Sequence, residues 1–355
     1  PLARTSFVGR ERETLEVKRL LAMTRLLTLT GAGGSGKTRL ALKVARDLVG
    51  AYPEGVWLVD LAPLSEANLV EQAVAQALGV REQPGRPLVQ TLKDTLRSRK
   101  MLLVVDNCEH LIEAVAHLVD ALLDACPRLR ILATSREALS IAGEAVWLVL
   151  PLSVPEQQHS STVEELEGYE SVRLLVERAR RRNPAFALTS ENAEAVAEIC
   201  QRLEGIPLAI ELAASRVGLS AEEIAARLED SLRLLTGGSR TALHRQQTLR
   251  GTLDWSYELL SEDEKKLFGK LSVFAGGWTL EALEAVGSGG GVEEGQVLDL
   301  LSGLVEKSLV MVRGGDPGGA RYRLLEPVRQ YALDKLEESD EAEEVRRRHA
   351  WFFLG

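Results

Sequence analysis

Short runs of apolar residues recur through the first 150 positions, at Leu26–Thr30, Val56–Asp60, Leu102–Asp106, Arg130–Thr134 and Ala145–Leu150. Each has the length of a strand. The stretches between them repeat their apolar residues every three or four positions, and Leu111, Val115, Leu118 and Leu122 form one such stripe. That spacing marks an amphipathic helix. Runs without polar alternation are strands buried on both faces, so the pattern predicts an α/β fold with a parallel five-stranded sheet between helices.

After Pro151 the strand signal stops. Residues 151–163 are rich in Pro, Ser and Gln and read as a linker. Helical patterns follow at Glu170–Arg182, Ser190–Leu203, Pro207–Ser215 and Ala221–Leu228, and a second helical region runs from Thr241 to Leu309. Within it, Ser261-Glu262-Asp263-Glu264 has the spacing of a capping box. Two apolar runs, Leu309–Arg313 and Arg321–Leu325, flank a Gly-rich stretch at 314–319 and predict a β-hairpin. Helices followed by a hairpin outline a winged helix. Pro327–Lys335 predicts a further helix, and a charged segment runs on to Gly355.

Length and composition narrow the class. With 355 residues, two or three domains are expected. The chain is 45% hydrophobic and 27% charged, which excludes a disordered, collagen-like or disulfide-scaffold protein. A net charge of -9 disfavours general affinity for nucleic acid or an anionic membrane. No run approaches the apolar length of a transmembrane helix, and residues 1–9 lack a signal-peptide pattern. The chain begins without Met, so a piece of a longer protein is expected. Cys108, Cys126 and Cys200 have no CxxC spacing and read as reduced thiols in a cytoplasmic protein. None of the five histidines pairs with a cysteine at metal-ligand spacing.

The chemistry begins at Gly31-Ala32-Gly33-Gly34-Ser35-Gly36-Lys37-Thr38. It fits G-x-x-x-x-G-K-[ST] and lies between a strand and a helix predicted at Arg39–Val49, the context a phosphate loop requires. The glycines let backbone N–H groups turn towards phosphate, and the helix N-terminus adds partial positive charge. Gly33, Gly34, Ser35, Gly36, Lys37, Thr38 and Arg39 are therefore candidate nucleotide contacts. Lys37 would meet the β- and γ-phosphates, and the Thr38 hydroxyl would meet Mg²⁺. Gly31, Gly33 and Gly36 also satisfy G-x-G-x-x-G, with Asp60 closing the second strand as a ribose-binding acid would. That reading gives no reason for Lys37-Thr38, and a better-placed acid exists. Met101–Asp106 is an apolar run ending in a carboxylate beside the expected metal, so Asp106 joins Thr38 as a candidate Mg²⁺ ligand. The position after Asp106 holds Asn107, which cannot act as a base, and Glu109 is the nearest acid. Slow or conditional ATP hydrolysis is expected rather than fast turnover. Arg136, after the fourth strand, could sense the γ-phosphate. Lys37, Asp106, Glu109 and Arg136 are the candidate catalytic residues.

These motifs together resemble the nucleotide-switch core of STAND-class P-loop ATPases, NB-ARC-like, and more narrowly bacterial LuxR/AfsR-type transcriptional regulators. The resemblance is carried by Phe7–Glu13, Val105–Leu111, Leu132–Glu137, Gly205-Ile206-Pro207-Leu208-Ala209, Leu253–Tyr257, Leu271–Gly277 and Tyr322–Ala332. It implies that the backbone at Val8, Gly9 and Arg10 contacts adenine and that Pro207 closes over it from a helical lid. It also implies a nucleotide-binding domain at 1–152, a helical domain at 153–240 and a winged helix at 241–327. Residues 328–355 would then form a helix leading to sensor and output domains of a longer chain. Relatives carry a Met-His-Asp whose His holds ADP; here the stretch is Leu324-Leu325-Glu326, and no His is carried over.

The expected function is an ADP/ATP switch, closed with ADP and opening to self-associate with Mg-ATP. One alternative is a regulator that binds DNA directly through the winged helix; another is a metabolic ATPase or kinase. Between Thr241 and Leu325 there are nine Lys/Arg against twelve Asp/Glu, net -3. The expected recognition segment, Glu293–Lys307, is acidic, with Val297, Leu298, Leu300, Leu301 and Leu304 as its packing face. Direct DNA binding by this part is therefore not expected, and neither is membrane binding. The basic runs Arg178–Arg182 and Arg346–Arg348 read as solvated helix faces.

Overall fold

The computed structural model describes residues 6–156, 162–214, 220–227, 249–275, 277–313 and 320–354. The ends predicted at Ser215 and Leu228, the start at Thr241, the boundary at 240/241 and the hairpin loop 314–319 lie outside them. Two compact units are present. The first runs up to Ala32 and from Gly36 to Leu150; the second joins Gly33–Ser35 to the chain from Pro151 onward.

The first unit is a parallel sheet in the order β2-β3-β4-β1-β5. Its strands are β1 (Leu26–Thr30), β2 (Val56–Asp60), β3 (Leu102–Asp106), β4 (Arg130–Thr134) and β5 (Glu144–Leu148). Helices α1 (Glu11–Met23), α2 (Lys37–Asp47), α3 (Val70–Leu78), α4 (Leu88–Leu96) and α5 (Ile112–Ala125) cover it. Alternation along each strand sorts the core into two layers. Leu27, Leu29, Leu102, Val104 and Leu132 pack with Val17 of α1 and Leu40 and Val44 of α2. Leu26, Leu103, Val105 and Ile131 pack with Val74 of α3, Leu92 of α4 and Val115, Leu118 and Leu122 of α5. Helix α2 opens at Lys37, two residues before the predicted start, so the Lys and Thr of the phosphate loop form its first turn. The last strand lies at a sheet edge, where Val146, Leu148 and Leu150 are about half exposed.

Among its described residues, the second unit is helical up to its hairpin. Its helices are α6 (Val163–Glu167), α7 (Glu170–Arg182), α8 (Ala193–Arg202), α9 (Pro207–Ala214), α10 (Ala221–Arg227), α11 (Leu249–Glu258), α12 (Glu262–Leu271), α13 (Leu280–Gly287) and α14 (Val297–Glu306). Strands β6 (Met311–Arg313) and β7 (Arg321–Arg323) pair antiparallel, and α15 (Glu326–Glu337) and α16 (Ala342–Leu354) follow. The predicted capping box opens α12. The Ser261 hydroxyl accepts from the Glu264 N–H at 3.2 Å, and the Glu264 carboxylate accepts from the Ser261 N–H at 2.7 Å. The strands are shorter than their apolar runs because Leu309, Val310, Leu324 and Leu325 are buried outside the paired residues.

Two expectations are corrected. Arg178 is not solvated: its side chain is 8% exposed, and its Nε donates to Glu211 of α9 at 2.9 Å. Leu298 is not packed: it is 48% exposed, while Val297, Leu301 and Leu304 are buried. The charged C-terminal segment is helical, ending in the exposed Trp351 and Leu354. All three cysteines are free and buried. Among the described residues no helix is long and apolar enough to cross a membrane.

Candidate nucleotide site

Strand β1 delivers the chain into the phosphate loop with Thr30 buried. Gly34 and Gly36 then take φ of 79° and 92°, the left-handed region that favours glycine. Gly36 caps α2 without a side chain, so no side-chain group occupies the first-turn amides. Such amides, at the positive end of the helix dipole, suit an anion. Lys37 folds back onto its own loop, donating to the carbonyl oxygens of Gly31 at 2.6 Å and Ala32 at 3.1 Å. Burial lowers the Lys37 pKa to about 8, opposed by Glu109 and Asp106 and reinforced by Arg136. In the second unit, the carbonyl oxygen of Gly34 accepts from the Leu208 N–H at 3.3 Å.

The Thr38 hydroxyl donates to Asp106 Oδ1 at 2.7 Å, and the Thr134 hydroxyl donates to the same oxygen. Thus α2, β3 and β4 meet on one carboxylate. Burial pushes the Asp106 carboxyl above its ordinary range despite these donors, and the negative charges of Asp60 and Glu109 push the same way. A hydroxyl and a buried carboxylate, with excess negative charge around them, fit a hard cation that takes its remaining ligands from phosphate and water. Among the described residues no group of three or more His, Cys, Asp or Glu forms a closed metal cage. Thr38 and Asp106 are thus the donors a nucleotide-borne Mg²⁺ would use.

Asn107 follows Asp106 in the left-handed region, with φ 66°. Its N–H donates to Thr134 Oγ1 at 3.0 Å, and its side-chain nitrogen lies 3.3 Å from His110 Nδ1. The other His110 ring nitrogen is 3.0 Å from the Leu64 carbonyl oxygen, so this turn is tied to the loop after β2. The turn brings Glu109 to Arg136, with Oε1 and Nε 3.3 Å apart. Their side chains are only 7% and 6% exposed.

The entry segment is held at two points. Arg10 adopts φ 62° before α1 and donates to the Leu150 carbonyl oxygen at 2.8 Å. Arg39 reaches back to the Ser6 carbonyl oxygen at 2.6 Å. Val8 and Gly9 lie between these anchors. Pro207, the remaining candidate, is the first residue of α9 in the second unit. A proline suits that position because the first-turn N–H groups lack helical partners.

One acid escaped the sequence reading in its present role. Asp60 is in register with Asp106 across the β2–β3 pair. Val59 and Val105 belong to one core layer, so alternation places Asp60 and Asp106 together on the other face, the side of α2. The signal was present in the sequence as two strand-ending acids, but only strand register makes them neighbours.

Comparison with known proteins matches both parts of the chain to known domain families. Residues 22–142 match the AAA domain model and residues 260–337 the winged helix-turn-helix domain model. A Mycobacterium tuberculosis protein named as an HTH-type transcriptional regulator is 48% identical over 338 residues, covering 95% of this chain and 36% of its own length. The chain thus spans about a third of that relative. An uncharacterized protein of the same species is 45% identical over 347 residues, covering 97% of this chain and 85% of its own. The regulatory protein AfsR of Streptomyces griseus is 28% identical over 368 residues, 34% of its length. Among solved structures, the Aeropyrum pernix ORC2 protein, in ADPNP–ADP complexes, shares the fold with TM-score 0.56 at 14% identity, covering 97% of both chains.

Proposed function

The chain belongs to the family of P-loop ATPases that join an AAA domain to a C-terminal winged helix-turn-helix domain, its relatives include proteins named as HTH-type and AfsR regulators, and on that footing we propose that it is the ADP/ATP switch of a transcriptional regulator. In this reading ADP holds a closed form, and Mg-ATP favours an open form that self-associates. A ligand shifts such an equilibrium only by its differential affinity for the two forms. The Lys37, Thr38 and Asp106 constellation carries the reading. Lys37 would exchange its loop carbonyls for the β- and γ-phosphates, while Thr38 and Asp106 would hold Mg²⁺. The segment from Val8 to Arg10 would receive adenine, with Pro207 as the lid residue. Mg²⁺, when bound, would neutralise phosphate charge. The remainder of a longer chain would supply sensor and output parts.

Slow hydrolysis fits the same geometry. Asn107 cannot accept a proton, and Glu109 is held by Arg136. Glu109 can polarise water only if Arg136 turns towards a γ-phosphate. The experiment is to denature the purified protein and quantify what it releases. Near-equimolar ADP supports the closed resting form. Lys37→Ala removes charge-assisted hydrogen bonds worth about 1.5–3 kcal/mol each and should weaken binding at least about 100-fold. Wild-type protein that neither releases nor binds adenine nucleotide would overturn the reading.

The winged helix-turn-helix match favours a second reading, direct DNA binding. The exposed residues of α14 include Leu298, Asp299, Ser302 and Glu306, none of which can neutralise phosphate. Lys307, just beyond, is committed to Glu264 at 2.6 Å. We therefore place this part in the switch rather than on DNA.

A further inference from the structure

The turn between α8 and α9 contains two consecutive left-handed residues, Glu204 at φ 46° and Gly205 at φ 69°. Gly205 is required there: a Cβ would lie 2.1 Å from the Leu152 carbonyl oxygen. The Gly205 carbonyl oxygen also accepts from the Leu152 N–H at 2.9 Å. Glu204 has no such excuse. Non-glycine residues in this region are uncommon, and Asn or Asp is the usual exception. A long acid persists in a strained backbone when its side chain does something the surroundings depend on.

Its carboxylate joins two distant points. Oε1 accepts from Arg323 Nη1 at 2.8 Å, and Oε2 accepts from the backbone N–H of Glu326 at 2.7 Å. Arg323 ends β7 and Glu326 begins α15. The Glu326 N–H is one of the first-turn donors that a helix cannot satisfy internally, and a carboxylate there also meets the helix dipole favourably. The Glu326 side chain is itself taken by Arg329, at 2.7 Å. The Glu204 and Arg323 side chains are 21% and 30% exposed, so the contact is largely shielded from water. Three residues after Glu204 is Pro207, at the head of α9.

We propose that Glu204 is a positioning residue of the switch, a clasp that fixes the segment bearing Pro207 to the end of the winged helix. With the clasp closed, α9 and the β7–α15 junction move as one body. Opening breaks both contacts of the one carboxylate. The clasp occupies the stretch Leu324-Leu325-Glu326, which lacks a histidine, and it acts through the helix start rather than through nucleotide. Its role in switching rests on the ADP/ATP reading above; its role in holding the two segments together does not.

The test uses the full chain with spin labels on cysteines replacing the exposed Glu194 of α8 and Glu306 of α14, the buried native thiols staying unlabelled. The clasp predicts a single narrow distance distribution in nucleotide-free wild type. It predicts a broadened one with a longer component in Glu204→Ala, and a smaller effect in Glu204→Gln, which keeps one acceptor. Arg323→Met attacks the same contact from the other side and should reproduce the change should Glu204→Ala fold poorly. The same variants should lower the preference for ADP over a non-hydrolysable ATP analogue by about tenfold, a readout that loss of packing alone would not move. Unchanged distance distributions in both variants would overturn the clasp. If the variants broaden the distribution while wild type treats ADP and the analogue alike, the clasp stands and the switch reading falls.

Discussion

At the residue scale, one buried ion pair borders the candidate site. Glu109 and Arg136 are each almost fully shielded, and the charge of each extends to Lys37. Removing one partner of a buried ion pair typically costs about 3–5 kcal/mol. Glu109→Gln should therefore lower stability by about 3 kcal/mol in urea unfolding, and Glu109→Gln with Arg136→Met should recover much of that loss. A double-variant loss equal to the sum of the two single-variant losses would show that the pair is not coupled. Asp60 gives a second prediction at this scale. If its charge helps hold the waters of Mg²⁺, Asp60→Asn should raise the Mg²⁺ concentration needed for half-maximal binding of an ATP analogue several-fold, with little change in metal-free ADP binding. Lys37, Thr38 and Asp106 were legible in the sequence because a phosphate loop is local and each run shows its own end. The partners of Asp60 and Glu204 were not. Asp60 meets Asp106 only through strand register, and Glu204 meets Arg323 across 119 positions.

At the scale of elements, the apolar pattern located all five strands of the parallel sheet, because strands buried on both faces leave continuous runs. It said less where burial is one-sided. The final strand sits at an edge, so its apolar run contains half-exposed residues. Leu298 shares the apolar stripe of α14 but falls outside the buried arc, since the stripe is wider than the surface the helix covers. The C-terminal segment hid a helix because its charged residues mask a short contact. His349 of α16 packs edge-on against Phe274, 5.1 Å between ring centroids, and at a tilt against Phe353, 4.9 Å between centroids. Burial lowers its pKa from the ordinary 6.5, so docking favours the neutral imidazole. As pH falls through 6.5, an undocked helix takes up a proton that the docked one resists, and docking weakens; above 6.5 it is insensitive to pH. Amide exchange in α16 should thus quicken, relative to α12, between about pH 7.5 and about pH 5.5, and His349→Phe should flatten that dependence. The acidic exposed face of α14 makes a further prediction. Fluorescence anisotropy with duplex DNA should show no salt-dependent binding by this chain, whereas a steep fall of affinity with salt would return the winged helix to a DNA-reading role.

At the scale of the whole molecule, the net charge of -9 has the same sign as the -3 carried between Thr241 and Leu325. The relatives named as HTH-type regulators are roughly two and a half times as long as this chain, which spans 36% of their length. The central claim is that nucleotide identity sets the conformation and association of this core. It is tested most directly by measuring X-ray scattering and light-scattering mass on one preparation loaded with ADP or with Mg²⁺ and a non-hydrolysable ATP analogue. The account predicts a compact, lower-mass species with ADP and a more extended, higher-mass species with the analogue, the difference vanishing in Lys37→Ala. Identical profiles and masses in the two nucleotides would contradict it.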